Sequence, residues 1–242
     1  MKLGVIGGLG PMATAHFMEL VINMTKAGCD QEHLEMIIYN CPQIPDRTSY
    51  ILGKSDENPL PKMLEIGKAL KDQGADIIAI PCMTAHYFHE ELNEQIGASV
   101  LHGIKLTAQT LKSAGVLRVG IMATDGTISS QIFQSAVEEL GMEAVIPEPE
   151  YQQKVMKIIY EDIKAGVIPP VEEFMEIKDY LVKDKGVQAI VLGCTELSLI
   201  KKAYDLGDGI IDTLEVLASA SVLACNKELN PAYTTLVKPI DN

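Results

Sequence analysis

The sequence predicts an α/β protein built from two similar, doubly wound parallel-sheet domains related by pseudo-twofold symmetry. Short apolar runs typical of buried parallel strands alternate with longer amphipathic segments typical of helices. One run, with a glycine before it and a cysteine after it, occurs twice with the same spacing, at residues 74–82 and 186–194. The strands that begin near Leu3 and Arg118 also resemble each other, so the order of elements is repeated in the two halves.

Each predicted strand is a short apolar run that ends at a turn residue. We expect strands at residues 2–7, 36–40, 77–80, 99–101, 118–123 and 143–146, in the run before Cys194, and at 209–211.

The predicted helices follow the strands and carry their own start and stop signals. Pro11 suits a first helical turn, and Thr84 and Thr195 are good N-cap residues. Gly166 and two prolines after it separate two neighbouring helices. We expect helices at residues 13–26, 60–71, 84–95, 105–113, from the polar turn 124–127 to 140, at 151–165 and 171–183, and finally up to about 228.

The repeat predicts two domains. We assign residues 1–98 together with 210–242 to the first α/β domain and residues 99–209 to the second. With 242 residues, of which 47% are hydrophobic, the chain can bury a full core as one large or two small domains.

Composition narrows the cellular setting. The chain contains no unbroken apolar stretch of the roughly 18 residues that a membrane helix needs, and its first residues run into a strand without signal-peptide features. Five cysteines are an odd number and too few for a disulfide scaffold, which favours a reducing compartment. We therefore expect a cytoplasmic protein without a membrane partner.

The charge balance points to a small-molecule partner. The formal net charge is −13, whereas nucleic acids and anionic membranes are bound through Lys and Arg. Only two arginines occur, Arg47 and Arg118, and Arg47 lies in a loop at residues 40–48 that is stiffened by prolines. We expect this loop to bind a ligand; the alternative is that Asp46 and Arg47 only pair with each other on the surface.

The two repeated cysteines are the strongest candidates for chemistry. Cys82 and Cys194 should each lie at the carboxyl end of a strand and before a helix, where ligands bind in open α/β sheets and where a thiolate is favoured. Our hypothesis is therefore that the two thiols face one cleft. Inert buried thiols and a disulfide are the alternatives, and we interpret Cys29, Cys41 and Cys225 as structural.

Two further motifs allow more than one interpretation. Cys82, His86 and His89 could bind zinc, but no second Cys/His cluster completes the ligand set; His86 could instead orient Cys82 or simply pack against the sheet. The glycine-rich turn at residues 7–11 partly fits a dinucleotide fingerprint, yet the next strand ends without an acidic residue. A tight turn that approaches a small anion is the preferred interpretation.

Four ordered motifs together resemble the aspartate/glutamate racemase family, and the resemblance covers nearly the whole chain. They are Gly-Gly-Leu-Gly-Pro at 7–11, residues 40–48 with Pro-Gln-Ile-Pro-Asp-Arg-Thr, Pro-Cys-Met-Thr-Ala-His at 81–86, and Gly-Cys-Thr-Glu at 193–196. The resemblance implies a cofactor-independent amino-acid racemase acting on an acidic amino acid, in the first place aspartate. It also implies a homodimer with the active site between the two α/β domains.

By the same resemblance, Cys82 and Cys194 are the catalytic acid and base, and no metal is needed. Arg47 matches the arginine that holds the substrate's distal carboxylate, and Lys164 a lysine that assists it. The other residues expected at the substrate are Gly8, Met12, Met83, Thr84, Thr124, Thr127, Thr195 and Glu196.

One residue departs from the family pattern. Met83 stands where an asparagine is usual, so an amide near the α-carbon is lost and a flexible apolar chain is added. Glutamate or another amino acid therefore remains an alternative substrate, and Met83→Asn is expected to raise aspartate turnover. A decarboxylase or cis–trans isomerase of the same superfamily, or a non-catalytic dicarboxylate-binding protein, remains the alternative to a racemase. Neither a decarboxylase nor a binding protein requires two thiols.

Overall fold

The computed structural model describes residues 1–240, which form nineteen main helices and strands. In chain order these are β1 (Leu3–Gly7), α1 (Pro11–Met24), β2 (Met36–Asn40), α2 (Arg47–Ile51), α3 (Leu60–Asp72), β3 (Ile77–Ala79), α4 (His89–Ile96), β4 (Ser99–Val100), α5 (Gly103–Ser113), β5 (Arg118–Met122), α6 (Asp125–Ser129), α7 (Ile132–Glu138), β6 (Glu143–Val145), α8 (Pro149–Lys157), α9 (Val171–Asp179), β7 (Ala189–Leu192), α10 (Leu197–Ala203), β8 (Ile210–Asp212) and α11 (Thr213–Ala224).

The strands form two parallel sheets of four with the same internal order. The first sheet has the order β2-β1-β3-β4 and the second β6-β5-β7-β8, so each repeats the other strand for strand. Helices flank both sheets. This arrangement confirms the predicted α/β fold with two similar parallel-sheet halves.

The sheets divide the chain at slightly different points from the predicted domains, whose exact limits stay a prediction. Ser99–Val100 pairs with β3 in the first sheet, and Ile210–Asp212 pairs with β7 in the second. The final helix α11 packs against α1 and α5. The last two residues of the predicted first domain, 241 and 242, lie outside the described residues.

One hydrophobic core runs between the two sheets. It contains Leu3 and Val5 of β1 and Val119 and Ile121 of β5, all fully buried. Two further clusters cover the outer faces, one on each sheet. Because the central core takes side chains from both halves, the two halves stabilise each other and hold a fixed relative position.

Several helices differ locally from the sequence expectation. The helix expected from residue 84 begins as a 3-10 turn, Met83–Phe88, before α4. The segment expected as one helix over 151–165 is α8, then a π-helical stretch, Ile158–Asp162, and a 3-10 turn, Ile163–Ala165. A π-helical stretch shifts the residues after it relative to a regular helix and is frequent at functional sites.

The predicted N-caps at Thr84 and Thr195 are wrong. Cys82 and Glu196 occupy the cap positions, and neither threonine side chain caps a helix. Both hydroxyls instead bond to groups of the opposite half of the chain. Tertiary contacts therefore override the local capping preference. Within residues 1–240, no helix combines the length and apolar character needed to cross a bilayer.

Candidate functional site

The first thiol lies just beyond the end of β3. After the strand, the amide of Cys82 donates a 2.7 Å hydrogen bond to the carbonyl of Ile80, which makes a tight turn. The carbonyl of Cys82 then accepts from the amide of Ala85 at 3.1 Å. This turn brings Cys82 to the carboxyl edge of the sheet, with only 6% of the residue exposed.

The second thiol occupies the equivalent place beyond β7. Gly193 bonds through its amide to the carbonyl of Met122 at 2.8 Å, and a Cβ there would lie 3.0 Å from the Cβ of Ala123. The close approach favours glycine and holds the turn against β5. Cys194 follows, 5% exposed.

Both thiols line the same cavity between the two halves. Its free volume is about 10 Å³, which is enough for about one water molecule. Nine of the residues predicted for the site line this cavity, together with Leu9, Asp46, Thr48 and Tyr160: Cys82, Cys194, Arg47, Met83, Thr84, Thr124, Lys164, Thr195 and Glu196.

Arg47 is buried at the edge of this cavity, with 7% of the residue exposed. Its Nη1 donates to the carbonyls of Ile44 and Pro45 at 3.2 and 2.8 Å, and its Nη2 donates to Leu9 at 3.3 Å. Among residues 1–240, Nε finds no acceptor. The guanidinium is thus fixed by backbone groups while one buried donor stays available.

The charges around Arg47 match this arrangement. Burial by itself lowers the pKa of Arg47, but the electrostatic interactions with Cys82 and Asp46 outweigh burial and raise it. Asp46 is the N-cap of α2, where its carboxylate accepts from the amide of Ser49 at 2.7 Å. The hydroxyl of Tyr160 also donates to Asp46, at 3.3 Å. These contacts make Asp46 and Arg47 part of a buried network rather than an isolated surface pair.

An ion pair lies beside Cys194. The thiol donates to Oε2 of Glu196 at 2.9 Å, and Nζ of Lys164 donates to Oε1 of the same carboxylate at 2.5 Å. Burial and then the carboxylate of Glu196 raise the pKa of Cys194 well above its usual range, with Lys164 acting in the opposite direction. Burial lowers the pKa of Lys164, yet Glu196 and Cys194 raise it overall. The raised pKa and the bond to Glu196 both favour the protonated thiol form of Cys194.

Three threonine hydroxyls meet where the two halves join. Thr84 lies 3.1 Å from the hydroxyl of Thr124 and 2.9 Å from that of Thr127, and these two are 3.0 Å apart. All three are buried. Thr195 crosses in the other direction, where its hydroxyl donates to the carbonyl of Pro81 at 3.2 Å.

A second, larger cavity opens outward from the first. It has a volume of about 380 Å³ and shares Asp46, Arg47, Lys164 and Glu196 with the thiol cavity. Its other walls are mostly apolar and include two predicted site residues, Gly8 and Met12. The Lys164–Glu196 pair thus lies at the boundary between the two cavities.

Gly8 shapes the turn between β1 and α1. Its φ is +92°, and a Cβ would lie 2.4 Å from the backbone of Cys41. Its amide donates to the hydroxyl of Thr14 at 2.9 Å, so this group of the glycine-rich turn is satisfied internally. The turn therefore brings the strand–loop segment of Cys41 and the Arg47 loop close to β1.

Met83 lines the thiol cavity, but its side chain ends elsewhere. Its Sδ and Cε would each lie 3.0 Å from a Cβ at Gly103, the first residue of α5, and Met83 is 1% exposed. The thioether therefore packs between the Cys82 turn and α5, and it is not a free chain in the thiol cavity.

The zinc alternative lacks support. Both ring nitrogens of His86 are hydrogen-bonded to backbone, and within the described residues no group of three or more His, Cys, Asp or Glu is arranged to hold a metal. All five cysteines are free thiols, so the disulfide alternative does not occur in this structure.

Sequence reasoning did not name Leu9, Asp46, Thr48 and Tyr160 as parts of the site, although Asp46 and Thr48 belong to the loop expected to bind a ligand. The position of Tyr160, one turn before Lys164, was a usable signal, because residues that close on a helix share a face. Leu9 contributes only its backbone carbonyl, which no side-chain pattern reveals.

One family model matches this chain, and several known proteins resemble it. Residues 6–227 match the family model for Asp/Glu/hydantoin racemases. The structure is similar to Picrophilus torridus aspartate racemase, with a TM-score of 0.82 and 32% identity over 98% of this chain and 99% of that one. The chain is 28% identical to the broad-specificity amino-acid racemase RacX of Bacillus subtilis (strain 168), over 91% of this chain and 96% of that protein. Glutamate racemase from Francisella tularensis shares the fold, with a TM-score of 0.65 and 20% identity, over 100% of this chain and 84% of that one.

Proposed function

Because the chain belongs to the Asp/Glu/hydantoin racemase family, we propose that it racemises an acidic amino acid, in the first place aspartate, with Cys82 and Cys194 as the two bases. The single observation that carries this proposal is that both thiols line one cavity, which also contains a buried and incompletely bonded arginine. The aspartate racemase of Picrophilus torridus, 32% identical, supports this choice of substrate.

Racemisation requires that a proton leave one face of the α-carbon and that another arrive on the opposite face. One cysteine as thiolate takes the α-proton, so that the C–H bond breaks, an S–H bond forms and the electron pair stays on the substrate. The other cysteine as thiol then gives its proton to the opposite face and becomes the thiolate. Base and acid exchange roles when the substrate has the other hand.

The two thiols start from different surroundings. Cys82 has the Arg47 guanidinium as a neighbour, whereas Cys194 donates to the carboxylate of Glu196. We therefore assign Cys194 as the resting acid, and the two-base mechanism then leaves the role of base to Cys82. Once Cys194 has given up its proton, Lys164 is the cation that offsets the new negative charge beside Glu196.

Arg47 is proposed to hold the distal carboxylate of the substrate. Its Nε is buried and has no acceptor in the described part of the chain, so a carboxylate there would satisfy a costly unpaired donor. A guanidinium can also bind a carboxylate through two parallel hydrogen bonds, which an ammonium group cannot.

The outer cavity supports a second candidate function, racemisation of an amino acid with a longer side chain. The thiol cavity holds only about one water molecule, while the adjoining cavity of about 380 Å³ has an apolar wall that includes Met12, Ile44 and Leu199. A side chain that passes Arg47 would extend into this space. The broad-specificity relative is consistent with such a substrate.

The proposal includes three further points. The reaction needs no pyridoxal phosphate or metal, the protein is a homodimer, and it works in the cytoplasm. The alternative, a non-catalytic dicarboxylate-binding protein, would use Arg47 in the same way but would leave both thiols without a role.

The decisive experiment is exchange of the α-proton in D2O. L- and D-aspartate are incubated separately with the protein, and the α-proton signal is followed by NMR together with chiral analysis of the product. We expect loss of the signal and formation of the opposite hand. Cys82→Ser and Cys194→Ser should each lower the rate by about a hundredfold or more, while Cys29→Ser, which changes an exposed cysteine, should not. Equal rates for all three variants would exclude the two-thiol mechanism.

A further inference from the structure

The imidazole of His86 contacts the backbone of Cys82 and does not line the thiol cavity. Only 3% of the residue is exposed, and both ring nitrogens are hydrogen-bonded to backbone. Nδ1 lies 3.0 Å from the carbonyl oxygen of Cys82, and Nε2 lies 3.0 Å from the amide nitrogen of Gly103. The ring thus bridges the catalytic turn and the first residue of α5.

The two partners fix the tautomer. The amide of Gly103 can only donate, so Nε2 must be the unprotonated acceptor. Nδ1 then carries the hydrogen and donates it to the Cys82 carbonyl. Burial lowers the pKa of His86 to about 4, in agreement with a neutral ring that fits both bonds.

The hydrogen bond from His86 to the Cys82 carbonyl constrains Cys82 itself and not only its neighbours. The Cys82 carbonyl accepts from the Ala85 amide and from His86, so both of its lone pairs are used. With this peptide group held, the direction of the Cα–Cβ bond of Cys82 is set, and the thiol keeps only its own side-chain rotation. The anchor at the other end is firm, because α5 packs against α7 and α11.

We propose that His86 is a positioning residue for Cys82, holding its carbonyl through Nδ1–H so that the thiol points at the α-carbon of the substrate. The kinetic part of this inference rests on the proposed racemase function, whereas the thiol-reactivity part does not. A displacement of about 1 Å at a reacting group can lower a rate by about a hundredfold.

The neighbouring histidines do not share this role and provide the control. The ring of His89 stacks on that of His86, with centroids 6.1 Å apart, but its Nε2 pairs with the carbonyl of Val100 at 2.9 Å. The ring of His102 accepts from the amide of Lys105 at 3.4 Å. Neither side chain bonds to the Cys82 turn. A loss that comes only from disturbing the contacts among the three histidine rings should therefore also appear in His89→Asn.

Two variants separate the two bonds of His86. In His86→Asn the amide nitrogen lies close to the former Nδ1 and can still donate to Cys82, while the bond to Gly103 is lost. In His86→Gln the amide oxygen reaches toward the former Nε2 and can accept from Gly103, while the bond to Cys82 is lost. The readouts are the alkylation rate of Cys82 relative to that of Cys194, measured by peptide mass spectrometry, together with kcat and KM for α-proton exchange and the melting temperature.

For His86→Gln we expect kcat to fall by about tenfold or more with little change in KM. The Cys82-to-Cys194 alkylation ratio should change with it. His86→Asn should keep kcat and the ratio near those of the wild type and lose only thermal stability, and His89→Asn should leave both unchanged. Equal values for the Asn and Gln variants, or an unchanged ratio in both, would overturn the proposal.

The positioning role of His86 can be tested even if one variant does not fold or the racemase proposal is wrong. If His86→Gln does not fold, His86→Asn decides alone: retention of the alkylation ratio supports the proposal, and loss of the ratio overturns it. If the wild type exchanges no amino acid, the racemase proposal is wrong, while the alkylation ratio still decides whether His86 positions Cys82.

Discussion

The thiol of Cys194 donates a 2.9 Å hydrogen bond to the carboxylate of Glu196, two residues later in the chain. The Cys82 thiol instead has Arg47 as its charged neighbour. The two cysteine turns repeat each other in backbone position, but Cys82 has a guanidinium as its charged neighbour, whereas Cys194 bonds to the carboxylate of the Lys164–Glu196 ion pair.

Glu196→Gln should make Cys194 more reactive. The carboxylate raises the pKa of Cys194, so its removal lowers that pKa, and the loss of its pairing with Lys164 acts in the same direction. More thiolate is then present at any given pH, and the pH profile of Cys194 alkylation shifts to lower pH. Peptide mass spectrometry across a pH series measures this, with Cys82 as the internal reference. A shift to higher pH would contradict the assigned role of Glu196.

Arg47→Lys should weaken the use of aspartate selectively. Lysine keeps the charge but cannot give two parallel bonds, and charged hydrogen bonds are worth about 1.5–3 kcal/mol, so kcat/KM for aspartate should fall by about tenfold to a hundredfold. Exchange of alanine, which has no distal carboxylate, should be slow in the wild type and little changed by the substitution. Arg118→Lys is the matched control, since Arg118 pairs with Glu143 at the surface. Equal losses for aspartate and alanine would remove Arg47 from side-chain recognition.

Gly103→Ala should destabilise the protein through Met83. The added Cβ would lie 3.0 Å from both Sδ and Cε of Met83 and 3.3 Å from Nε2 of His86. Overpacking of this kind costs about 1–3 kcal/mol, which urea unfolding can measure. Gly28→Ala, whose Cβ would meet its nearest neighbour at 3.5 Å, serves as control. If adding Met83→Ala to the Gly103→Ala variant does not restore part of the lost stability, the contact with Met83 is not the cause of the loss.

Met83→Asn should lower stability without raising aspartate turnover. The sequence suggested that the missing amide hinders the chemistry, but the side chain of Met83 packs on Gly103 and is 1% exposed. An amide buried there without partners costs about 1–3 kcal/mol. Thermal melts and the exchange assay in D2O test both parts, and Met83→Leu, which keeps the apolar volume, should be close to the wild type. A faster aspartate exchange in Met83→Asn would restore the original expectation.

The repeat was the most informative feature of the sequence. Strand ends at Cys82 and Cys194 follow from an apolar run and a turn, which are local patterns. That the two thiols, which belong to different sheets, face one cleft was inferred from the repeat itself, since it suggested a pseudo-twofold arrangement of the two halves. The positions of Arg47 and Lys164 at the cavity were suggested by resemblance to a family.

The remaining features depend on contacts between distant parts of the chain. Thr84 and Thr195 have the composition of helix caps, but their hydroxyls find partners across the two halves, and this outcome depends on the packed geometry. The contact between Tyr160 and Asp46 also depends on the packed geometry. Tyr160 lies in the π-helical stretch that follows α8, and from there its hydroxyl bonds to Asp46. The spacing of Tyr160 from Lys164 indicates the face that Tyr160 shares, but no local pattern predicts its contact with Asp46 or the contacts of the two threonines.

The triangle of hydroxyls formed by Thr84, Thr124 and Thr127 has a consequence for ligand recognition. Three hydroxyls carry three protons, and a closed ring of three hydrogen bonds uses all of them, each oxygen donating to the next. The three hydrogen bonds can point in either direction around the ring. The amide of Thr127 also donates to the Thr124 oxygen, and this bond does not by itself select a direction. A ligand that accepts a hydrogen bond from any one threonine must open the ring. The other two hydroxyls can then form an open chain of two hydrogen bonds that ends on the oxygen of the threonine bound to the ligand, so the three residues respond to the ligand as one polar unit.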